Sequence, residues 1–428
     1  MLYLFILPAV LMAPTLTEDQ IRTARSMSPV PPPPSSPTNA MADDPAAALL
    51  GQSLFFEPGI SGKGTTSCSS CHQPTLAFSD GRHVSTGAGV GIRNAPTLLG
   101  AAHQRWFFWD GRADSLWMQA THPIEDPLEM NAARGDVVQF IAHTPQLRRR
   151  YESLFGPILE LGALPAGLTP KSEQWNSLTS TQQQSVNEIF VNLCKCLAAY
   201  ERQLQPGDSD FDRWVASFES PDAGPALSDS AIRGFQLFTG DAGCWQCHFG
   251  PLLSDREFHD LGLPAPDGSP STDPGRGEGY ATLRASSFRA DGPWSDAPES
   301  RAARRAAAAR IGPEHWGAFR TPSLRNVALT APYMHDGRFA SIAEVLEFYN
   351  TLETQARRHH HAEDVLQPLN LNAAQLADLE AFLRSLSGAP PATHLLGPLQ
   401  DTPPTAIPGD QIRHSTPPAA TKGAPIHE

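Results

Sequence analysis

Apolar residues return along this chain at helical intervals. Val186, Ile189, Phe190, Leu193, Leu197 and Tyr200 follow the three-and-four spacing of a buried helix face. Ser341-Ile-Ala-Glu344 has the form of a capping box, and behind it Ile342, Val345, Leu346 and Tyr349 share one face, so Tyr349 is predicted to point inward. Asn372 is placed to cap a helix carrying Leu376, Leu379, Leu383 and Leu386. A run of Ala and Arg between Glu299 and Trp316 predicts a solvated helix. The pattern is therefore that of a mainly α protein.

The ends depart from this pattern. MLYLFILPAVLMAPT opens the chain with roughly a dozen apolar residues, the length of a signal-peptide core and short for a bilayer span. It reads as an export signal, with an uncleaved anchor as the alternative. Residues 27–38 read as a Pro-rich linker, and the tail from Gly388 is expected to be disordered. The expected division is a signal-like segment and linker over 1–43, an N-terminal domain over 44–225, a C-terminal domain over 226–387 and a tail over 388–428. RRHHHAED, residues 357–364, is expected to be a solvated loop.

Composition narrows the function. The net charge is −13 and no long basic run exists, which argues against a nucleic-acid partner. Of the six cysteines, four lie in two C-x-x-C-H units: Cys68, Cys71, His72 and Cys244, Cys247, His248. A zinc ribbon uses paired C-x-x-C at much shorter separation, and a redox dithiol does not need the following His twice. Covalent haem c explains the whole spacing: two thiols one helical turn apart meet two vinyl groups, and the next residue ligates iron. Haem c is attached outside the cytoplasm, which agrees with export and a periplasmic location. Cys194 and Cys196 lie two apart on a helix, where side chains diverge, so they are expected to be small packing residues without a mutual disulfide.

An internal duplication accompanies the two motifs. RNAPTLLGAAHQRWFFWDGRADSL (93–116) aligns without gaps with FRTPSLRNVALTAPYMHDGRFASI (319–342). Pro96 matches Pro322, Asp110-Gly111-Arg112 matches Asp336-Gly337-Arg338, and Ser115 matches Ser341. Two positions differ where chemistry would differ. Trp109 stands opposite His335, and Pro123 stands opposite Tyr349. Proline cannot ligate iron and tyrosinate can. One haem is thus expected to keep an open position and the other to be closed by a sixth ligand.

With RNAPTLL, FFWDGRADSL, PIEDPLEM, FHDLGLP and FRTPSLRNVALTAPYMHDGR beside the haem motifs, the sequence resembles the bacterial di-haem cytochrome c peroxidase family, which includes MauG-type enzymes. The resemblance implies two cytochrome c-like haem domains with short irregular or β segments. It implies His72 as proximal ligand of the peroxidatic haem, Glu129 over its distal face, Pro123 lining that pocket and Trp109 as a relay between haems. It implies His248 and Tyr349 on the second iron, since MauG-type members carry Tyr where the peroxidases usually carry Met. It also implies calcium held by the Asn94 side chain and the Thr330 and Pro332 carbonyls. His83 is the only His in the loop where many peroxidases carry a displaceable ligand, but it lies five residues nearer the haem motif, and it is read as a loop residue. The expected substrates are H2O2 and either a protein electron donor or a protein oxidised on its side chains. A conventional peroxidase fed by a small cytochrome or copper protein is the alternative enzyme, and a non-enzymatic di-haem electron carrier is the alternative from another class.

Overall fold

The computed structural model describes residues 14–158, 164–170, 172–220, 227–265, 267–269, 271–353 and 365–399. The apolar start of the chain, the His-rich 357–364 stretch and the tail beyond 399 lie outside the described residues.

The long apolar pattern forms the Ser180–Glu201 helix, started by a Thr179–Gln182 capping box. It crosses the Pro45–Phe55 helix at Gly51, where an added Cβ would lie 1.9 Å from the Cys196 carbonyl oxygen. The second half repeats the device. The Asp229–Thr239 helix crosses Ala373–Arg384 at Gly234, whose Cβ would lie 1.9 Å from the Asp378 carbonyl oxygen. In each case only glycine lets the two backbones approach this closely. Asn372 caps Ala373–Arg384 with Gln375, as its position suggested. Ser341 caps Ile342–Thr351, but Glu344 completes the box one residue early, accepting from the Ala340 N–H.

Two hydrophobic clusters form around these crossings. The larger gathers residues from Ala47 to Leu204 and takes in Leu283, Phe288 and Leu395. The smaller holds Phe235, Phe238, Leu346 and Phe382, but also Ala24, Met27, Phe211 and Trp214. The cores therefore interleave across the sequence and do not part at 225/226. Cys194 and Cys196 are fully buried with free thiols, packing as small apolar residues. Among the described residues strand is confined to two residues on each side, Phe258–His259 antiparallel to Phe319–Arg320.

The folded body is longer at both ends than the expected span of 44–387. A helix from Glu18 to Met27 buries Ala24 and Met27 in the smaller cluster. The Pro-rich stretch after it is fastened at its flanks and is not a free linker. Ser28 Oγ donates to Asp212, Trp117 Nε1 donates to Thr38 Oγ1, and Asn39 Nδ2 donates to the Lys195 carbonyl. At the other end Leu395 is buried, and its carbonyl accepts the Tyr200 hydroxyl at 2.6 Å. A proline-rich segment needs few backbone bonds of its own, so a handful of buried side-chain partners suffices to order it. The Ala/Arg stretch forms the Arg301–Ala308 helix, but Ala303 and Ala306 are buried against Ala290. No helix among the described residues is long and apolar enough to cross a membrane.

Candidate active site

Both C-x-x-C-H motifs adopt a single helical turn, Cys68–Cys71 in one and Cys244–Gln246 in the other. The His72 amide donates to the Cys68 carbonyl at 3.0 Å, and the His248 amide donates to the Cys244 carbonyl at 2.9 Å. None of the four thiols is in a disulfide. His72 Nδ1 lies 3.1 Å from the Phe78 carbonyl and His248 Nδ1 lies 2.9 Å from the Leu253 carbonyl. A proton on Nδ1 satisfies each carbonyl and leaves the Nε2 lone pair for a metal. Burial also pushes both imidazoles toward the neutral form. Two thiols outside any disulfide beside a neutral, oriented imidazole are the donor set that haem c requires, so the group fits both motifs.

The motifs open on one continuous cavity of about 740 Å³. It is lined by Cys71, His72, Trp109 and Glu129 from the first half and by Cys244, Cys247, His248 and Tyr349 from the second. Asn94, Thr330 and Pro332 also line this cavity. Cys68 and Pro123 line a small adjoining pocket of about 40 Å³, which His72 and Glu129 also border. His83 does not line the cavity; its Nδ1 contacts the Gly337 carbonyl.

The first wall is built by the Leu116–Glu125 helix, capped by Ser115. Pro123 lies inside that helix and has no N–H to offer the Gln119 carbonyl. The chain then turns tightly: the Asp126 carbonyl accepts from Glu129 and Asn131, and the Pro123 carbonyl accepts from Met130. Ala88 N–H holds the Glu129 carbonyl at 2.7 Å. The Glu129 carboxylate lies 3.7 Å from Arg112. Burial pushes its pKa up to about 7, although Arg112 opposes the shift. Arg112 itself is held by Asp110 and stacks over Phe108, 3.6 Å from the ring centre. Burial would raise Asp110, but Arg112 and Arg93 outweigh it and hold the carboxyl below the usual range.

The sequence reading gave no role to three groups on this wall. Arg112 stood inside a quoted motif, but its approach to Glu129 is tertiary. Gln119 borders both pockets, and its Oε1 is buried without a partner. Its place one turn before Pro123 was the available signal. His122 lines the cavity with a buried, unpartnered Nε2, and burial followed by Arg112 pushes its pKa down to about 4.

The second half contributes Tyr349 to the cavity, and Asp260 and Glu278 also line it. The Ile342–Thr351 helix brings Tyr349 to the cavity, where the ring packs edge-on against Phe348 at 5.1 Å. Its hydroxyl has no hydrogen-bond partner among the described residues. Burial raises its pKa above the usual phenol range.

The two copies meet in a reciprocal exchange. The Asn94 amide donates to the His335 carbonyl and the Arg320 amide donates to the Trp109 carbonyl, both at 2.8 Å. These are equivalent positions in the two repeats. The DGR turns lock the same way. Gly111, at φ +69°, packs under Phe258 and Arg276; Gly337, at φ +65°, packs under the His83 backbone. Trp109 is thereby fixed at the seam, its Nε1 donating to the Asn94 carbonyl at 2.9 Å. His335 instead stacks on Phe319 at 3.6 Å. Asn94 Nδ2 donates to the Arg82 carbonyl, which leaves its Oδ1 unengaged. The Thr330 and Pro332 carbonyls accept no hydrogen bond among the described residues. Oxygens of this kind suit a hard cation.

Comparison with known proteins agrees with this architecture. Residues 45–220 match the family model described as di-haem cytochrome c peroxidase. The methylamine utilization protein MauG of Methylorubrum extorquens is 33% identical over 353 residues, covering 82% of this chain and 81% of the relative. A cytochrome-c peroxidase of Denitromonas iodatirespirans, IdrP1, is 32% identical over 380 residues, covering 86% and 88%. Among solved structures, a MauG-like protein associated with microbial copper homeostasis superposes with a TM-score of 0.63 at 26% identity, covering 86% of this chain and 97% of that one. With these similarities across most of its length and the doubled motif around one cavity, the chain belongs to the di-haem cytochrome c peroxidase family.

Proposed function

We propose that the protein is an exported, periplasmic di-haem peroxidase of the MauG type, in which the first half reacts with H2O2 and the second stores and passes electrons. The single observation that carries this reading is the asymmetry of the shared cavity: an acid with a raised pKa beside the first motif, a half-buried phenol beside the second. Bound through Cys68, Cys71 and His72 and through Cys244, Cys247 and His248, haem iron supplies the O–O cleavage and electron storage that side chains lack.

The chain's own groups then have distinct tasks. Pro123 keeps the distal side of the first site free of a ligating side chain. Glu129, as carboxylate, takes a proton from one peroxide oxygen and returns it to the other, which leaves as water. Arg112 holds Glu129 in place and limits its pKa, so that the base form is populated near neutral pH. Trp109 passes electrons across the seam. Tyr349 offers its oxygen to the second iron; a hard anionic ligand suits a more oxidised metal than a thioether does. Calcium at Asn94, Thr330 and Pro332 would brace the seam beside Trp109.

Relatives named as cytochrome-c peroxidases support a second reading, a detoxifying enzyme fed by a small redox protein. Tyr349 and the engagement of His83 with Gly337 favour the MauG type, in which a partner protein is oxidised. The test is stopped-flow mixing of the all-ferric holoprotein with H2O2. Immediate reaction without reductant supports the MauG type; reaction only after one haem is reduced supports the detoxifying peroxidase.

A further inference from the structure

The two haem-binding turns differ on their outer side. The first reads Cys-Ser-Ser-Cys-His-Gln and the second Cys-Trp-Gln-Cys-His-Phe. The Ser69 hydroxyl of the first hydrogen-bonds to Ser67 Oγ, and Gln73 follows its His. Their counterparts in the second are Trp245 and Phe249, which remain 45% and 47% exposed. Two large aromatic residues so exposed on a six-residue turn need a reason, because burying them elsewhere is favourable. The Trp245 N–H has no hydrogen-bond partner among the described residues.

We propose that Trp245 is a surface electron port, through which the second cofactor takes single electrons from a redox protein too large to enter the cavity. This rests on the reading of Cys244 and Cys247 as haem anchors. Trp245 is bonded directly to Cys244, which would anchor the cofactor, and its side chain meets solvent. The indole gives one electron to the oxidised cofactor and releases the Nε1 proton to water. The docked partner then supplies one electron, a proton returns, and tryptophan is restored. The net step moves one electron from partner to cofactor. The first motif, with Ser69 and Gln73 at these positions, has no aromatic side chain there.

The experiment begins with the ferric holoprotein and excess H2O2, without a donor, followed by peptide mass mapping. With no partner to refill it, Trp245 becomes hydroxytryptophan, with peroxide supplying one oxygen atom and water as the other product. Trp316, which is 52% exposed and lies outside the haem motifs, serves as the internal control. Oxidation at Trp245 with Trp316 spared supports the port. Equal oxidation of both, or a spared Trp245, overturns it. A cofactor spectrum that peroxide leaves unchanged removes the peroxidase reading, and the port with it. In a second arm, Trp245→Phe slows oxidation of a ferrous mono-haem cytochrome c by roughly tenfold, about 1.4 kcal/mol of barrier, while hydroquinone is oxidised at the parent rate. Equal slowing for both donors contradicts the port.

Discussion

The two repeats share a backbone and differ in a few side chains. Each forms an isolated bridge eleven and seventeen residues after its proline, Phe107 with Ala113 and Tyr333 with Phe339. Each passes through positive φ at the same three places: Gly100, Phe108 and Gly111 in the first, Asn326, Met334 and Gly337 in the second. Each ends in a ten-residue helix capped by serine. Three substitutions on this common frame separate the halves. Trp109 replaces His335 at the seam, Pro123 replaces Tyr349 at the cavity, and Leu99 stands where the second half has Arg325. That arginine is 2% exposed and binds Asp212, Met27 and Pro251. At this last position the first half packs a leucine, and it keeps an acid at its site. The second is tied by a buried ion pair and keeps a phenol. A duplicated fold thus divides reaction and electron storage without a change of architecture.

The division of labour gives its largest expected effect at Glu129. Glu129→Gln should slow the reaction with H2O2 by roughly a hundred- to ten-thousandfold in stopped-flow, while the resting optical spectrum stays unchanged. Loss of the resting spectrum as well would make Glu129 a structural residue and erase the contrast. Next comes the ion pair particular to the second half. Arg325→Ala leaves Asp212 buried and unpaired, and urea unfolding should show a loss of about 3–5 kcal/mol. A negligible loss would mean the two halves are not held differently.

A smaller effect lies in pH. Because burial raises Glu129 to about 7, its base form grows as pH rises toward that value. The rate should climb about tenfold per pH unit below 7 and level off above it. Glu129→Gln should flatten that rise, and a persisting rise in the variant would assign the titration elsewhere. The smallest effect concerns Glu201, buried behind the first site and raised to about 8 by burial alone. Its native carboxyl holds a proton that the unfolded chain releases near 4.5. Stability from this group therefore falls as pH rises from about 4.5 to 8. Glu201→Gln should raise the melting temperature at pH 8 relative to pH 5.

Much of this was legible in the chain because the signals are local. Two five-residue motifs, an ungapped repeat and serine caps are written in adjacent residues, and Tyr349 follows from helical spacing within one repeat. What was hidden depends on distant partners. The ordering of residues 14–43 comes from Thr38 meeting Trp117 and Met27 meeting Arg325, neither of which leaves a trace in local composition. Arg112 sits in a quoted motif, yet its approach to Glu129 requires the turn at 126–131. The reciprocal hydrogen bonds of Asn94 and Arg320 are consequences of the duplication that only the folded seam reveals.

The central claim is that one frame holds two unlike iron sites. Electron paramagnetic resonance of the resting ferric holoprotein tests it most directly, on the parent and on Tyr349→Phe. The account predicts one high-spin and one low-spin signal of equal weight in the parent, with the low-spin signal alone changed by the substitution. Two low-spin signals in the parent, or a low-spin signal indifferent to the loss of the Tyr349 hydroxyl, would contradict it.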